Sequence, residues 1–429
     1  MEFIKRNITD VFLSKIKQER TVVLTGARQT GKTTLCEGIL PQCINQPYTY
    51  ISFDDPDERL RFQNSAIAIL ESLDTPLVIL DEVQKIPALF DSLKYVIDRQ
   101  KRNLASQKKV FILTGSSQLL LLKDVKETLA GRVALLSLFP FSLSEVSESS
   151  PIPLLTRIWK QGKLEKEEVE VSNISPPEKI RSVMAITREH QVWGGYPPVW
   201  QMKDASDKIN WLKDYRKTYL ERDISDVGQV ANIDTFALAQ KLLCARTGQL
   251  FSISEVARDL SVAVNTVKRY INLLVMSFQC YLVPPYYENI GKRFVKSPKI
   301  YFPDPGLNRV ILGEMAINSG ASYETWVLSE LLKWKHLQLV EPDVYFYRTA
   351  GGKEIDFLIA GEEMLLPIEV KYSSQIANVD ARNVESFMID YRKHAPVGLI
   401  VYSGREVVEI ERTSGQSLTG SYLEVFKFF

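Results

Sequence analysis

A chain of 429 residues is too long for one ordinary core, and at ~150 residues per domain it is expected to hold about three units. Its apolar fraction of 45% with 24% charged residues is that of an ordinary globular protein, and no run approaches the ~18 apolar residues of a membrane span. Lys and Arg exceed Asp and Glu by one, so any nucleic-acid contact must come from a local patch; the four cysteines form no C-x-x-C pair, which argues against zinc or disulfides and suits a cytoplasmic location.

Met1 to Gln18 carries charges at Glu2, Lys5 and Arg6 and no apolar h-region, so it is not read as a signal peptide. Ile4, Ile8, Val11, Phe12 and Ile16 recur at helical spacing and predict an amphipathic helix. Val22, Val23 and Leu24 then lead into Gly26-Ala27-Arg28-Gln29-Thr30-Gly31-Lys32-Thr33-Thr34, which fits G-x-x-x-x-G-K-[ST] between a strand and a helix. The two glycines let backbone N–H groups turn inward around phosphates, and the helix N-terminus adds its dipole. Lys32 is expected to reach the β and γ oxygens, and the Thr33 hydroxyl to hold Mg²⁺. The pattern points to an ATP site.

A second strand, Tyr48 to Phe53, and a helix from about Asp57 to Leu73 follow. Leu77 to Leu80 is a buried strand ending in Asp81-Glu82, where Asp81 suits a magnesium-holding role and Glu82 is placed to polarise the attacking water. After a helix from about Ala88 to Arg102, the strand Val110 to Leu113 runs into Thr114-Gly115-Ser116-Ser117. Ser116 or Thr114 could sense a γ-phosphate, or the run is turn chemistry and a helix cap. Arg132 precedes the apolar strand Val133 to Leu138; it is a candidate arginine finger for a neighbouring subunit, or a surface arginine after a turn.

The order of phosphate loop, extra strand, VILDEVQ, ILTGSS, LAGR and SLFPFSLSE resembles the AAA-type ATPases joined to a domain of unknown function numbered 4143, and Gly194-Gly195-Tyr196-Pro197 and YLERDI extend the resemblance. It implies ATP binding and hydrolysis over a core at 1–150.

Residues 151–177, with Pro151, Pro153, Pro176 and Pro177 around a charged run, are expected to hold a helical or flexible surface connector. Helical patterns over 178–245 resemble the helical lid of such ATPases. FSISEVARDLSVAVNTVKRYINLL reads as helix, turn, helix, with Ala257 and Ser261 as the small residues of the turn and Asn265 to Leu274 as recognition helix. Two short strands complete a winged helix over 246–305. Between residues 251 and 300 seven Lys or Arg face three Asp or Glu, which supports DNA contact by Lys268, Arg269, Lys292, Arg293 and Lys296; protein docking is the alternative.

In residues 306–429, Asp356 lies on one strand and Glu369-Val370-Lys371 on the next, a pattern that resembles the PD-(D/E)xK nuclease superfamily. Side-chain alternation puts Glu369 and Lys371 on one face. Asp356 and Glu369 can then hold a divalent metal, Glu324 on the preceding helix can complete the shell, and Lys371 can position the water. The expected fold is α/β: a P-loop AAA-type core with helical lid, winged helix and a small restriction-nuclease-like domain. The expected function is an oligomeric ATPase using ATP and Mg²⁺ that moves or processes DNA. The alternative is a nucleotide-dependent switch whose carboxyl-terminal domain only docks DNA or protein.

Overall fold

The computed structural model describes residues 4–18, 21–44, 46–102, 108–115, 125, 127–149, 153–162, 177–219, 230, 232–289, 291, 293, 296–313, 319–404, 408–409 and 422–426. Five parallel strands form the first sheet: β1 (Thr21–Thr25), β2 (Tyr48–Ser52), β3 (Leu77–Asp81), β4 (Val110–Thr114) and β5 (Val133–Ser137), in the order β2-β3-β4-β1-β5. β1, β3 and β4 are buried throughout, which is why their sequences are continuous apolar runs rather than alternations. Successive residues serve opposite faces: Val23, Val78, Leu80 and Phe111 pack under helices Pro56–Ser72 and Leu89–Arg102, while Val22, Leu24, Ile79 and Ile112 pack on the helix Thr9–Lys17 side. All five strands stand where the apolar runs predicted them.

The expected connector does hold a helix, and only its surface placement needs a correction. Pro153–Gln161 is a helix whose Leu155 and Ile158 are buried in the carboxyl-terminal core, and Trp334 donates its indole N–H to Thr156 at 2.9 Å. Residues 163–176 lie outside the described residues.

Helices Pro177–Trp193, Ala205–Thr218 and Ile233–Cys244 lead to the helix pair Ile253–Asp259 and Val264–Met276. The turn between the pair holds Ser261 at φ 53°, whereas Ala257 is buried inside the first helix. Strands β6 (Gln249–Leu250), β7 (Tyr281–Val283) and β8 (Lys299–Tyr301) form a small sheet with β8 in the middle. One apolar cluster runs from Tyr196 through Phe236, Val267 and Leu274 to Ile311, so these helices and the helix-turn-helix share a core.

The last sheet is mixed: β9 (Asp343–Arg348), β10 (Glu354–Ala360), β11 (Leu365–Lys371), β12 (Val397–Tyr402), β13 (Val408–Glu409) and β14 (Tyr422–Phe426), in the order β13-β14-β12-β11-β10-β9. β11 is antiparallel to β10 and parallel to β12. Helix Gly320–Lys335, capped by Ser319, covers one face with Trp326, Val327 and Leu331, and helix Asn378–Asp390 covers the other with Ala381, Val384 and Phe387.

The segment after β5 joins these parts. The Phe141 carbonyl accepts from Lys333 Nζ at 2.9 Å and faces His190 Nε2 at 2.9 Å, and the Leu143 N–H donates to Glu330 at 2.9 Å. Trp326 donates its indole N–H to His190 Nδ1 at 2.8 Å, which leaves the proton on Nε2 and makes the imidazole neutral. Burial, with the charge of Lys333 adding to it, pushes His190 down to about 4 from 6.5. Below its ordinary value the unfolded chain takes up a proton that the fold refuses, so stability present above pH 6.5 is lost as pH falls toward 4. Thermal melts at about pH 7 and about pH 4.5 should therefore show a smaller acid loss in His190→Gln than in wild type, by roughly 2 kcal/mol.

Candidate functional site

At the carboxyl end of β1 the chain turns through Gly26 at φ 146°, Gln29 at φ 62° and Gly31 at φ 91°. A side chain at Gly26 would place its Cβ 2.2 Å from the Leu138 carbonyl oxygen, so only glycine fits this cradle. Lys32 is buried and donates to the carbonyls of Gly26 at 2.9 Å and Ala27 at 2.8 Å. Thr30 closes the loop from inside with a 2.9 Å bond to the Ala27 carbonyl, and Arg6 holds it from outside with a 2.8 Å bond to the Thr30 carbonyl. Arg28 is half-buried, while Gln29, Thr33 and Thr34 are exposed. The helix that follows is π-helical over Thr34–Ile39 and α-helical over Leu40–Cys43.

The Thr33 hydroxyl donates to Asp81 Oδ2 at 3.3 Å, across from β1 to the end of β3. Tyr50 donates to the same oxygen at 2.8 Å, and burial raises the Asp81 carboxyl while these bonds oppose the rise. Glu82 is buried in the left-handed region at φ 57° and ψ 38°, and accepts from Gln84 Nε2 at 2.5 Å. Hard oxygen donors at Thr33 and Asp81 suit Mg²⁺, and the glycine cradle suits phosphate, so the residues fit MgATP. Thr114 is fully buried and its Oγ1 has no hydrogen-bond partner among the described residues; Ser116 lies outside them. Sequence reasoning missed Tyr50, Gln84 and Arg6, since nothing local marks a tyrosine in an edge strand or an arginine before the first helix as facing this loop.

Arg132 stands at the amino-terminal end of β5, opposite the sheet end that carries the loop, as the Thr21 to Val133 and Thr25 to Ser137 register shows. Its guanidinium makes two bonds to Asp98, at 2.8 and 2.9 Å, which hold the Asp98 carboxyl below its usual range. It is thus part of an ion pair within this chain.

The second constellation lies in the carboxyl-terminal sheet. The register of β10 on β9 shifts between Ile355 and Leu358, and this bulge re-aims Asp356, which accepts from the Val370 N–H of β11 at 2.8 Å. Lys371 Nζ donates to Glu369 Oε1 at 2.8 Å, as the shared face predicts, and Glu369 Oε2 is buried with no hydrogen-bond partner among the described residues. Burial and the charge of Asp356 push both Glu369 and Glu324 up to about 7. Tyr301 of β8 donates to Glu324 at 2.5 Å. Lys299, also of β8, reaches Glu354 at 2.7 Å, Glu324 at 3.5 Å and Asp356 at 4.0 Å. Asp356, Glu369, Lys371 and Glu324 therefore stand in one cluster, with Lys299 an addition. Among the described residues no three His, Cys, Asp or Glu side chains stand around one metal position. Carboxylate oxygens are the donors that a hard divalent cation takes, and Glu369 Oε2 is left without a partner among the described residues.

Beside this cluster a cavity of about 340 Å³ opens between helix Pro177–Trp193 and the ends of β11 and β12, lined by Arg188, Tyr323, Trp326, Tyr372 and Tyr402. Of the predicted DNA contacts, Lys268, Arg269 and Lys296 are exposed and Lys292 lies outside the described residues. Arg293 is committed elsewhere: its guanidinium lies 4.5 Å from the Tyr286 ring and 4.9 Å from the Tyr345 ring, and donates to the Tyr287 carbonyl at 2.5 Å. It fastens the β7–β8 connection to β9, which corrects its expected role at a phosphate. No helix among the described residues is long and apolar enough to cross a membrane.

Three family models match the chain: an AAA domain over residues 18–147, a domain of unknown function (DUF8612) over 184–316, and a domain of unknown function (DUF4143) over 319–419. An uncharacterized protein of Mycobacterium tuberculosis is 30% identical over 380 residues, covering 86% of this chain and 74% of that protein. An uncharacterized protein of Methanocaldococcus jannaschii is 23% identical over 381 residues, covering 87% and 79%. Among solved structures, the Walker-type ATPase PABY2304 of Pyrococcus abyssi matches with a TM-score of 0.43 at 15% identity, over 72% of this chain and 96% of that one. With its phosphate loop, its parallel core and its carboxyl-terminal sheet, the chain belongs to the family of P-loop ATPases in which an AAA domain is joined to a DUF4143 region.

Proposed function

We propose that this P-loop ATPase hydrolyses ATP to drive or gate work on DNA, and that its carboxyl-terminal domain is a metal-dependent nuclease. The proposed units are an ATPase core over 1–150, a connector over 151–177, a helical lid over 178–245, a winged helix over 246–305 and the nuclease-like domain over 306–429. The observation that carries the nuclease half is the meeting of Asp356, Glu369, Lys371 and Glu324, with one buried carboxylate oxygen left open for a ligand. When bound, the metal supplies charge stabilisation at the scissile phosphate and a more acidic water. Lys371 orients that water, and the aromatic cavity beside it offers stacking surface for a base.

For the ATPase half, Lys32 and the loop amides hold the phosphates, Thr33 and Asp81 hold Mg²⁺, and Glu82 orients the water. Lys268 and Arg269 on helix Val264–Met276, with Lys296, face solvent and are available to phosphates. Arg132 acts on a neighbouring copy's ATP in an oligomer, for which it must leave Asp98. In the alternative function, the carboxyl-terminal domain only docks DNA or protein; the closed Lys371–Glu369 pair favours it, because a lysine held by its neighbour is not free to activate water.

Four outcomes are expected. Glu82→Gln should bind ATP and lose at least about a hundred-fold in steady-state turnover, and unimpaired turnover removes Glu82 from the mechanism. Lys371→Ala should abolish cleavage of plasmid, single-stranded or branched DNA with Mg²⁺ or Mn²⁺; no cleavage by wild type leaves the docking function standing. Replacing Lys268 and Arg269 together by Ala should lower the slope of log affinity against log salt by about 2. Asp98→Asn should leave ATPase activity near wild type while Arg132→Ala loses it, with the loss restored on mixing Arg132→Ala with Lys32→Ala protein; failure of that complementation refutes action between copies.

A further inference from the structure

The cavity of about 340 Å³ lies past the carboxyl ends of β11 and β12, which are parallel neighbours. In open α/β sheets the crevice outside the carboxyl ends of parallel strands is where ligands settle. Four aromatic rings wall it: Tyr323 and Trp326 of helix Gly320–Lys335, Tyr372 just past β11, and Tyr402 at the end of β12. Tyr323 stands 5.7 Å from Trp326 with planes 26° apart, and 5.5 Å from Tyr372 with planes 41° apart, so three rings form one aromatic series. The Trp326 N–H is spent on His190, which makes the indole a wall and not a donor. Tyr372 remains 47% exposed in spite of its contact with Tyr323, so part of its ring is open to a further flat group. Among the described residues that line the cavity the one charged side chain is Arg188, exposed on helix Pro177–Trp193, and no carboxylate is present. Flat walls with a single cation and no anion suit a base that carries a phosphate.

The volume is at the small end of the roughly 300–1,000 Å³ of ligand sites, room for one nucleotide and not for a stacked duplex. Inside a duplex each base is covered by its neighbours, so a base reaches such walls only when it is unpaired and unstacked. We infer that this cavity takes the base of a single unpaired nucleotide, with its phosphate on Arg188, and that the DNA on which the chain acts is single-stranded or locally opened. The inference rests on the reading of the chain as a DNA-acting protein and needs no metal. Because Tyr372 follows Lys371 directly, the held nucleotide sits beside the cluster of Asp356 and Glu369. Selection at this site is by strand state and not by sequence, since every base has a π-face.

The test uses the nucleotide-free full-length chain in EDTA and reads the fluorescence anisotropy of labelled strands of about 12 nucleotides. Wild type should bind oligothymidylate at least about five-fold more tightly than the same backbone without bases. Tyr372→Ala should erase that difference and leave the affinity for the abasic strand unchanged, while Tyr372→Phe, which keeps the ring, should retain it. A strand carrying 5-iodouracil, irradiated with wild type and mapped by mass spectrometry, should crosslink to Tyr372 or Tyr323 when unpaired and not when annealed to its complement. Equal affinity with and without bases, crosslinks confined to other residues, or crosslinks as strong from the annealed duplex overturn the inference and leave DNA binding standing. Displacement of the strand by equimolar thymidine monophosphate marks a site for free nucleotides and overturns it as well. If no strand binds at low salt, the DNA reading falls and takes the inference with it. Should Tyr372→Ala fail to fold, the crosslink to wild type decides.

Discussion

A buried backbone group must find a partner, and in this molecule that requirement fixes how the domains meet. The residues after β5 leave the parallel sheet once the Leu138 N–H has bonded the Thr25 carbonyl of β1 at 2.8 Å. Beyond it, the Gly195 carbonyl takes the Phe141 N–H and side chains from distant segments serve the rest of the stretch. Arg6 reaches the Phe139 carbonyl at 2.6 Å and Glu145 at 3.1 Å; Lys333 serves the Phe141 carbonyl, and Glu330 the Leu143 N–H. Because Arg6 also bonds the Thr30 carbonyl, the phosphate loop and the helix that carries Glu324 are attached to one stretch of main chain. Removing one charged partner here would leave others buried and uncompensated, a larger loss than the pair itself is worth.

Gly194-Gly195 shows how a motif acquires its reason only in three dimensions. A Cβ at Gly195 would lie 2.2 Å from the Phe141 carbonyl oxygen, and the Gly195 N–H donates to Asp304 at 3.0 Å. Asp304 at the same time caps helix Pro305–Leu312 through the Leu307 N–H. In the sequence this pair counted only as part of the motif that extends the family resemblance.

Much else was legible because it depends on neighbours in the chain. The strands of the first sheet are continuous apolar runs, the loop glycines sit at fixed offsets, and Glu369 and Lys371 share a face because strands alternate. What escaped depends on partners far away in sequence. Lys299 counted only as one positive charge in a basic stretch, although its surroundings are carboxylates. Pro153–Gln161 looked like a connector because prolines and charges surround it, yet Leu155 and Ile158 are buried. Arg293 and Arg132 looked available because arginines near turns usually are; Tyr286 with Tyr345, and Asp98, engage them.

Glu82 is held in a backbone conformation that costs a residue with a side chain about 1–3 kcal/mol, immediately after the β3 strand that ends in Asp81. Glycine or asparagine would rest there more easily. The protein therefore stores part of its instability at the residue assigned to chemistry, and the cheapest gain in heat resistance lies in the same place. A population of variants screened for survival on heating alone would be drawn to this position and, with Glu82 in its proposed role, would come back robust and inert.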